Sequence, residues 1–284
     1  ELHFTKAAEK LNIAQPTLSQ QIKTLENEVG IPLFDRIGRK IALTEAGKIL
    51  LKHSQRVFYE LEQGKAALRD LNGLQIGRLT IGSLFTCVNY LLPSPILKFK
   101  QLYPNIELSI LGLRNDDIIK GLLENELDLG IAFLPIEDDE IESIPLFTEE
   151  LSLAVPYDHS LSNKKEVEMK TLKNEQIVLM PENYFLRKLI DTYCIRLGLK
   201  LEPTLELTTL DSLIQMVIKG AGVTILPEPY LDYLNNEHIV KVKLIDPTPE
   251  RKIGFIYRKN KFMCTTTRTF IDQVTKKYIS LKIL

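Results

Sequence analysis

The sequence predicts an α/β fold in three parts: a winged helix-turn-helix, a long linker helix, and two consecutive α/β lobes. Three observations predict it. Two short stretches with apolar residues at helical spacing are separated by a break at Asn12-Ile13-Ala14. A helix-compatible pattern free of proline then runs from Thr44 to Asn72. From Arg78 onward strand patterns alternate with helix patterns, and the alternation recurs in a second half, as βαβ units do.

Taken in order, Phe4, Ala7, Ala8 and Leu11 mark a first amphipathic helix, with Thr5 placed to cap it. The next helix opens with Pro16 at its first position, carries the stripe Leu18, Ile22, Leu25 and Val29, and closes at Gly30. Two short helices joined by a tight turn make a helix-turn-helix candidate. Residues 33–43 read as two strands around Gly38, a wing with Arg36, Arg39 and Lys40 near its tip. Thr44 is a good N-cap, although Gly47 stands where a capping box has Glu or Gln. The long helix then sets Leu50, Val57, Gly64 and Leu71 at one heptad position and Ser54, Leu61 and Leu68 at the complementary one. That seam suits dimerisation, and the same stripe also suits packing on the chain's own domain.

In the first lobe, strands at 79–82, 106–111 and 129–133 alternate with helices at 95–103 and 116–125. In the second, strands at 151–155, 177–180, 204–208 and 223–226 alternate with helices at 184–197 and 210–219. The expectation is a mainly parallel sheet covered on both faces. A late strand at 252–257 and a last helix at 267–279 return to the first lobe, leaving two crossovers and a cleft between lobes. The expected domains are 1–44 for the winged helix, 45–73 for the linker, 77–150 with 250–284 for lobe one, and 151–249 for lobe two.

Composition narrows the class further. The 284 residues are 44% hydrophobic and 26% charged, with 14 Gly and 14 Pro, which excludes disordered and collagen-like chains. Three cysteines, Cys87, Cys194 and Cys264, are too few and too scattered for a disulfide framework or a CxxC motif, and fit a reducing cytosol. No apolar run approaches the roughly 20 residues that span a bilayer, and no signal-peptide pattern opens the chain, so a membrane partner is not expected. Residues 1–73 carry a net charge of +2 and the remainder −3, the sign that DNA favours at the N-terminus. The opening Glu1-Leu2-His3-Phe4-Thr5 reads as the middle of an element, which predicts a preceding segment.

On the second helix, Gln15, Thr17, Ser19, Gln20 and Lys23 lie off the apolar stripe and face solvent or a partner. Gln can bond adenine bidentately, Ser and Thr can contact base edges or phosphates, and Lys can neutralise a phosphate. Any surface helix shows polar residues opposite an apolar stripe; the preceding helix, the turn and the wing together favour DNA. Arg36, Arg39 and Lys40 suit phosphates or a narrow minor groove, or simply a solvated hairpin tip.

The run from Phe4 to Glu26, with Leu33-Phe34-Asp35-Arg36 and Leu43-Thr44-Glu45-Ala46-Gly47, closely resembles the winged helix of LysR-type bacterial transcriptional regulators. Glu126-Leu127-Asp128-Leu129-Gly130-Ile131 and the run from Lys219 to Pro227 extend the resemblance over essentially the whole chain. It implies a linker helix and a two-lobed effector domain of the periplasmic-binding-protein type. It also implies that Gln15, Pro16, Thr17, Ser19 and Gln20 approach the major groove, Thr5 lies near phosphate, and Arg39 and Arg36 are wing contacts. Members carry one more helix before the position of Glu1, and usually Arg or another polar residue where Gln20 stands. Double-stranded promoter DNA, a homodimer or homotetramer, and RNA polymerase are the implied macromolecular partners.

In a two-lobed α/β unit a ligand sits at the carboxyl ends of strands, facing helix N-termini. Ser83 and Thr86, Asn115, Pro181 with Asn183, and Thr208 with Thr209 meet that condition, and hydroxyls and amides there suit a small anionic metabolite as co-inducer. Each of these residues equally suits a plain helix cap. Enzymatic patterns are absent: the four His form no HExxH, and no GxSxG, GxxxxGK[ST] or GxGxxG occurs. No cofactor and no metal are expected. The expected protein is therefore a cytoplasmic, effector-controlled DNA-binding regulator. The competing readings are a dimeric solute-binding module without DNA binding, and a two-domain transferase resembling the porphobilinogen-polymerising enzyme, which needs a cofactor-bearing Cys in a loop.

Overall fold

A computed structural model describes residues 3–37, 40–71 and 76–282, with the side chains of residues 36, 37, 40, 66, 69–71, 277 and 279–282 outside that description. The chain divides into two compact units, residues 1–65 and 66–284. The division falls inside the long helix, whereas residues 45–73 were expected to form a segment of their own.

In the first unit α1 (Phe4–Lys10) is capped by His3, whose Nδ1 accepts from Lys6 N at 3.4 Å. Thr5, the expected cap, is instead the second helical residue and exposed. Asn12 takes the left-handed conformation (φ 53) that turns the chain into α2 (Gln15–Val29). Pro16 is the second residue of α2, not the first, and Gly30 ends it with φ 76. Of the expected α2 stripe only Leu18 is buried; Leu25 and Val29 are exposed. The wing strands β1 (Phe34–Ile37) and β2 (Lys40–Leu43) pair antiparallel. Helix α3 (Glu45–Leu71) follows, and Thr44 Oγ1 accepts from Gly47 N at 2.9 Å.

The second unit begins with β3 (Gly77–Leu84), α4 (Phe85–Tyr90), α5 (Pro93–Leu102), β4 (Ile106–Leu113), α6 (Asn115–Leu123) and β5 (Leu129–Leu134). Strand β3 pairs parallel with β4 and β5, as expected. Beyond β5 the sheet departs from the parallel expectation. Strand β6 (Ile141–Pro156) is sixteen residues long and runs from one lobe into the other. After it come β7 (Glu166–Glu168), a 3₁₀ turn at Met169–Asn174, β8 (Val178–Leu179), α7 (Phe185–Arg196), β9 (Leu205–Glu206), α8 (Leu210–Ile218), β10 (Thr224–Pro227), α9 (Glu228–Leu234) and β11 (Ile239–Ile245). The chain closes with β12 (Glu250–Arg258) and α10 (Thr265–Lys282).

Strand β12 lies antiparallel between β5 and β6, and both β10 and β11 pair antiparallel with β6. The order β4-β3-β5-β12-β6-β11-β7 therefore threads one mixed sheet through both lobes. Two separate cores result. Ile81, Phe99, Phe255 and Phe270 are buried in one, and Leu151, Val178, Ile214 and Tyr230 in the other. Helix α10 returns to α5, where Phe270 meets Phe99 edge-to-face at 5.4 Å. This layout sets two α/β lobes, joined by β6 and β12, around the starts of several helices.

Candidate DNA-binding face and effector cleft

The face that α2 presents follows from how the helix is held. Leu18 is buried on one side. Further along, the Glu26 carboxylate accepts from Leu33 N at 2.8 Å and Phe34 N at 3.1 Å, so α2 is tied to the first strand of the wing. Phe4 of α1 meets Phe34 edge-to-face at 5.7 Å, which closes the triangle of α1, α2 and wing. Gln15, Pro16, Thr17, Gln20 and Lys23 are left exposed and Ser19 half-buried, with Gln15 Nε2 donating to Ser19 Oγ at 2.8 Å. These groups share one uncovered, hydrogen-bonding surface. Arg39 and the side chains of Arg36 and Lys40 lie outside the described residues.

A cleft opens in the second unit where the two lobes meet. Its first-lobe wall is built from the starts of α4 and α6, with Phe133 of β5; its second-lobe wall is the start of α7, with Met180 and Leu210; and Arg251 of β12 lies at its inner end. A cavity of about 80 Å³ remains there, room for several waters. Among the described residues, no side chain caps α6 or α7, so their first N–H groups point into the cleft without a capping side chain, with Asp116 and Asp117 in the first turn of α6. Arg251 is buried and donates through Nε and Nη2 to Glu149, and through Nη2 to Thr86 Oγ1 at 3.0 Å. Its guanidinium lies 4.7 Å from the centre of the Phe133 ring, and Phe133 stacks on Phe185 of the other lobe at 4.0 Å. Tyr90 donates to Glu149 at 2.5 Å, and burial together with the Glu149 charge pushes the Tyr90 phenol up.

Comparison with known proteins decides the family. The LysR substrate binding domain matches residues 72–278, and the bacterial regulatory helix-turn-helix protein of the lysR family matches residues 1–48. The chain belongs to the LysR family of bacterial regulators. The uncharacterised regulator YybE of Bacillus subtilis is 32% identical over 276 residues, covering 97% of this chain and 94% of that one. The DNA-binding transcriptional dual regulator OxyR of Escherichia coli is 32% identical over 257 residues, covering 90% of this chain and 84% of that one. Full-length OxyR from Pseudomonas aeruginosa has the same fold, with a TM-score of 0.77 and 25% identity over 96% of this chain and 89% of that one. CbnR in complex with its target DNA superposes with a TM-score of 0.70 at 21% identity, covering 96% and 93% of the two chains, and shares the fold.

Within this LysR-family regulator, Thr86, Asn115 and Asn183 line the cleft. Thr86 serves Arg251, and Asn115 Oδ1 accepts from Phe133 N at 2.8 Å, so both also hold the walls in place. Ser83 is buried beneath, donating to Leu84 O at 3.3 Å. Pro181, Thr208 and Thr209 stand outside the lining, and Thr209 is a cap whose Oγ1 accepts from Ser212 N at 3.2 Å. Sequence reasoning missed Arg251, Phe133, Phe185 and Lys188, because nothing local marks a strand-start arginine or a helix lysine as facing a distant lobe. Among the described residues there is no group of His, Cys, Asp and Glu that could hold a metal ion, and no helix long and apolar enough to cross a membrane.

Proposed function

We propose that this LysR-family regulator reads promoter DNA with the exposed face of α2 and responds to a small anionic effector held in the cleft between its α/β lobes. The observation that carries the first half is the set Gln15, Thr17, Gln20 and Lys23, all uncovered on a helix otherwise fixed by Leu18 and Glu26. Thr5 at the start of α1 and Arg36 and Arg39 of the wing supply phosphate contacts in this reading. The uncapped starts of α6 and α7 support the second half. Along α3, Val57, Leu61 and Leu68 are exposed apolar residues at heptad spacing, which supports a homodimer through that helix and, with a second interface, a tetramer. The protein acts beside the chromosome in the cytoplasm, with RNA polymerase as its downstream partner, and carries out no catalysis.

Several relatives are named hydrogen peroxide-inducible genes activators, so thiol sensing is the competing reading. Peroxide reacts with thiolates. Here burial pushes the Cys87 thiol up to about 12 and the Cys194 thiol up to about 11, and the two thiols belong to the cores of different lobes. That arrangement favours a bound effector over oxidation.

The test is selection of bound fragments from the source genome, followed by affinity at several salt concentrations. Enrichment of a dyad-symmetric promoter site with a steep salt slope is the expected result. A folded dimer that enriches no fragment would leave a solute-binding module instead.

A further inference from the structure

Three cations line the cleft, and their surroundings differ in a way that bears on the ligand. Arg251 is the deepest, at 4% exposed. Its Nε and Nη2 are taken by Glu149, Nη2 also donates to Thr86, and its face lies against the Phe133 ring. A guanidinium already matched by a carboxylate and covered by a ring has little left to offer a second anion. Arg114 is exposed and donates to both Asp117 oxygens, at 2.9 and 3.4 Å. Lys188, near the start of α7, takes part in no ion pair among the described residues.

With Asp116 on the rim, the side-chain charges around the cleft balance: Arg114, Lys188 and Arg251 face Asp116, Asp117 and Glu149. What remains positive is backbone. Helices α6 and α7, nine and twelve residues long, both start in the cleft without a side-chain cap. Each N-terminus is equivalent to about half a positive charge, so the pair matches one negative charge. Beside the polar Thr86, Asn115, Asn183 and Tyr184, the rest of the lining is apolar. Phe133 and Phe185 stack with ring planes 10° apart, one from each lobe. Phe85 lies over Gly112, where a Cβ would meet its ring at 2.8 Å, yet it remains 50% exposed. An apolar surface of that kind, inside a cleft, favours a flat hydrophobic body.

The geometry points to an aromatic monocarboxylate as the effector class. Its carboxylate sits among Lys188, Asn183 and the starts of α6 and α7, its ring packs on Phe85, and Arg251 stays with Glu149. The inference rests on the cleft being the effector site, and it excludes a dicarboxylate or phosphate clamped by Arg251.

Isothermal titration of the full chain with cinnamate, cinnamamide, succinate and inorganic phosphate tests it. Cinnamate is expected to bind about tenfold more tightly than each of the others, the size of one lost charge-assisted hydrogen bond. Lys188→Gln is expected to bring cinnamate down to the affinity of cinnamamide, and Phe85→Ser to weaken cinnamate about tenfold. Both side chains are exposed, and thermal melting of each variant checks that the fold is kept. Succinate or phosphate binding more tightly than cinnamate, in a manner lost with Lys188→Gln, overturns the ligand class and leaves the cleft as the effector site. Cinnamate binding that neither variant changes lies outside the cleft and overturns both. Absence of heat from all four probes overturns the aromatic class.

Discussion

Gly47 is the third residue of α3, where a capping box has Glu or Gln, and the reason for glycine lies outside the helix. A Cβ there would stand 2.1 Å from Leu33 O, the carbonyl that accepts from Thr44 N at 3.0 Å as the wing closes onto the helix. Gly47→Ala is therefore expected to destabilise the winged helix by roughly 1–3 kcal/mol, since backbone must shift to admit the methyl. Thermal melting of the variant checks this, with retained stability counting against the close approach. Arg251 and Glu149 make the same point in the second unit. Removing the carboxylate with Glu149→Leu leaves a buried guanidinium unmatched, and a loss of about 3–5 kcal/mol is expected in denaturant unfolding. At the DNA face, Gln20→Ala is expected to relax sequence preference and cost about 1–3 kcal/mol, while Arg39→Ala weakens all sequences and lowers the salt slope by about one unit. Equal slopes for wild type and Arg39→Ala would remove that wing contact.

At the scale of elements, α2 and the wing behave as one piece because a single carboxylate joins them. Glu26 serves two backbone N–H groups at the wing's first strand, so Glu26→Ala leaves both without that partner. The variant is expected to lose DNA affinity with no change in ligand binding, measured by fluorescence anisotropy and calorimetry in parallel. On helix α3 the apolar residues Val57, Leu61 and Leu68 are exposed. Leu61→Lys puts a charge into the seam proposed for these residues. It is expected to shift the protein toward monomer in sedimentation velocity, and an unchanged sedimentation coefficient would place the dimer contact elsewhere.

For the whole molecule, the two buried thiols bear on alkaline stability. Cys87 and Cys194 sit in the cores of the first and second lobe, with thiols raised from 9.0 to about 12 and about 11 by burial. The folded state thus favours the protonated thiol. That contribution is complete below the unfolded value of 9.0 and disappears as pH climbs through about 11 and about 12. Melting temperature is expected to fall across this window, and Cys194→Ala to flatten the fall. A Cys194→Ala melting curve parallel to wild type over the same pH range would show that the thiol makes no such contribution.

The short-range parts of this protein were legible in the sequence. The break at residues 12–14, the Gly30 stop, the Thr44 cap and the first-lobe strands each depend on residues a few positions apart, and local periodicity and capping decide such features. From the same local cues the exposed residues of α2 and three of the cleft residues, Thr86, Asn115 and Asn183, were named. What only the tertiary structure decided was pairing over long separations. The local pattern marked only residues 151–155 as a strand, yet β6 runs unbroken from Ile141 to Pro156, because β12 and then β10 and β11 pair along it. Arg251 meets Glu149 across 102 residues, and Phe133 meets Phe185 across the cleft. Such contacts follow from strand register and lobe placement, which no window of neighbouring residues contains, and they set the charge balance and the aromatic wall of the cleft.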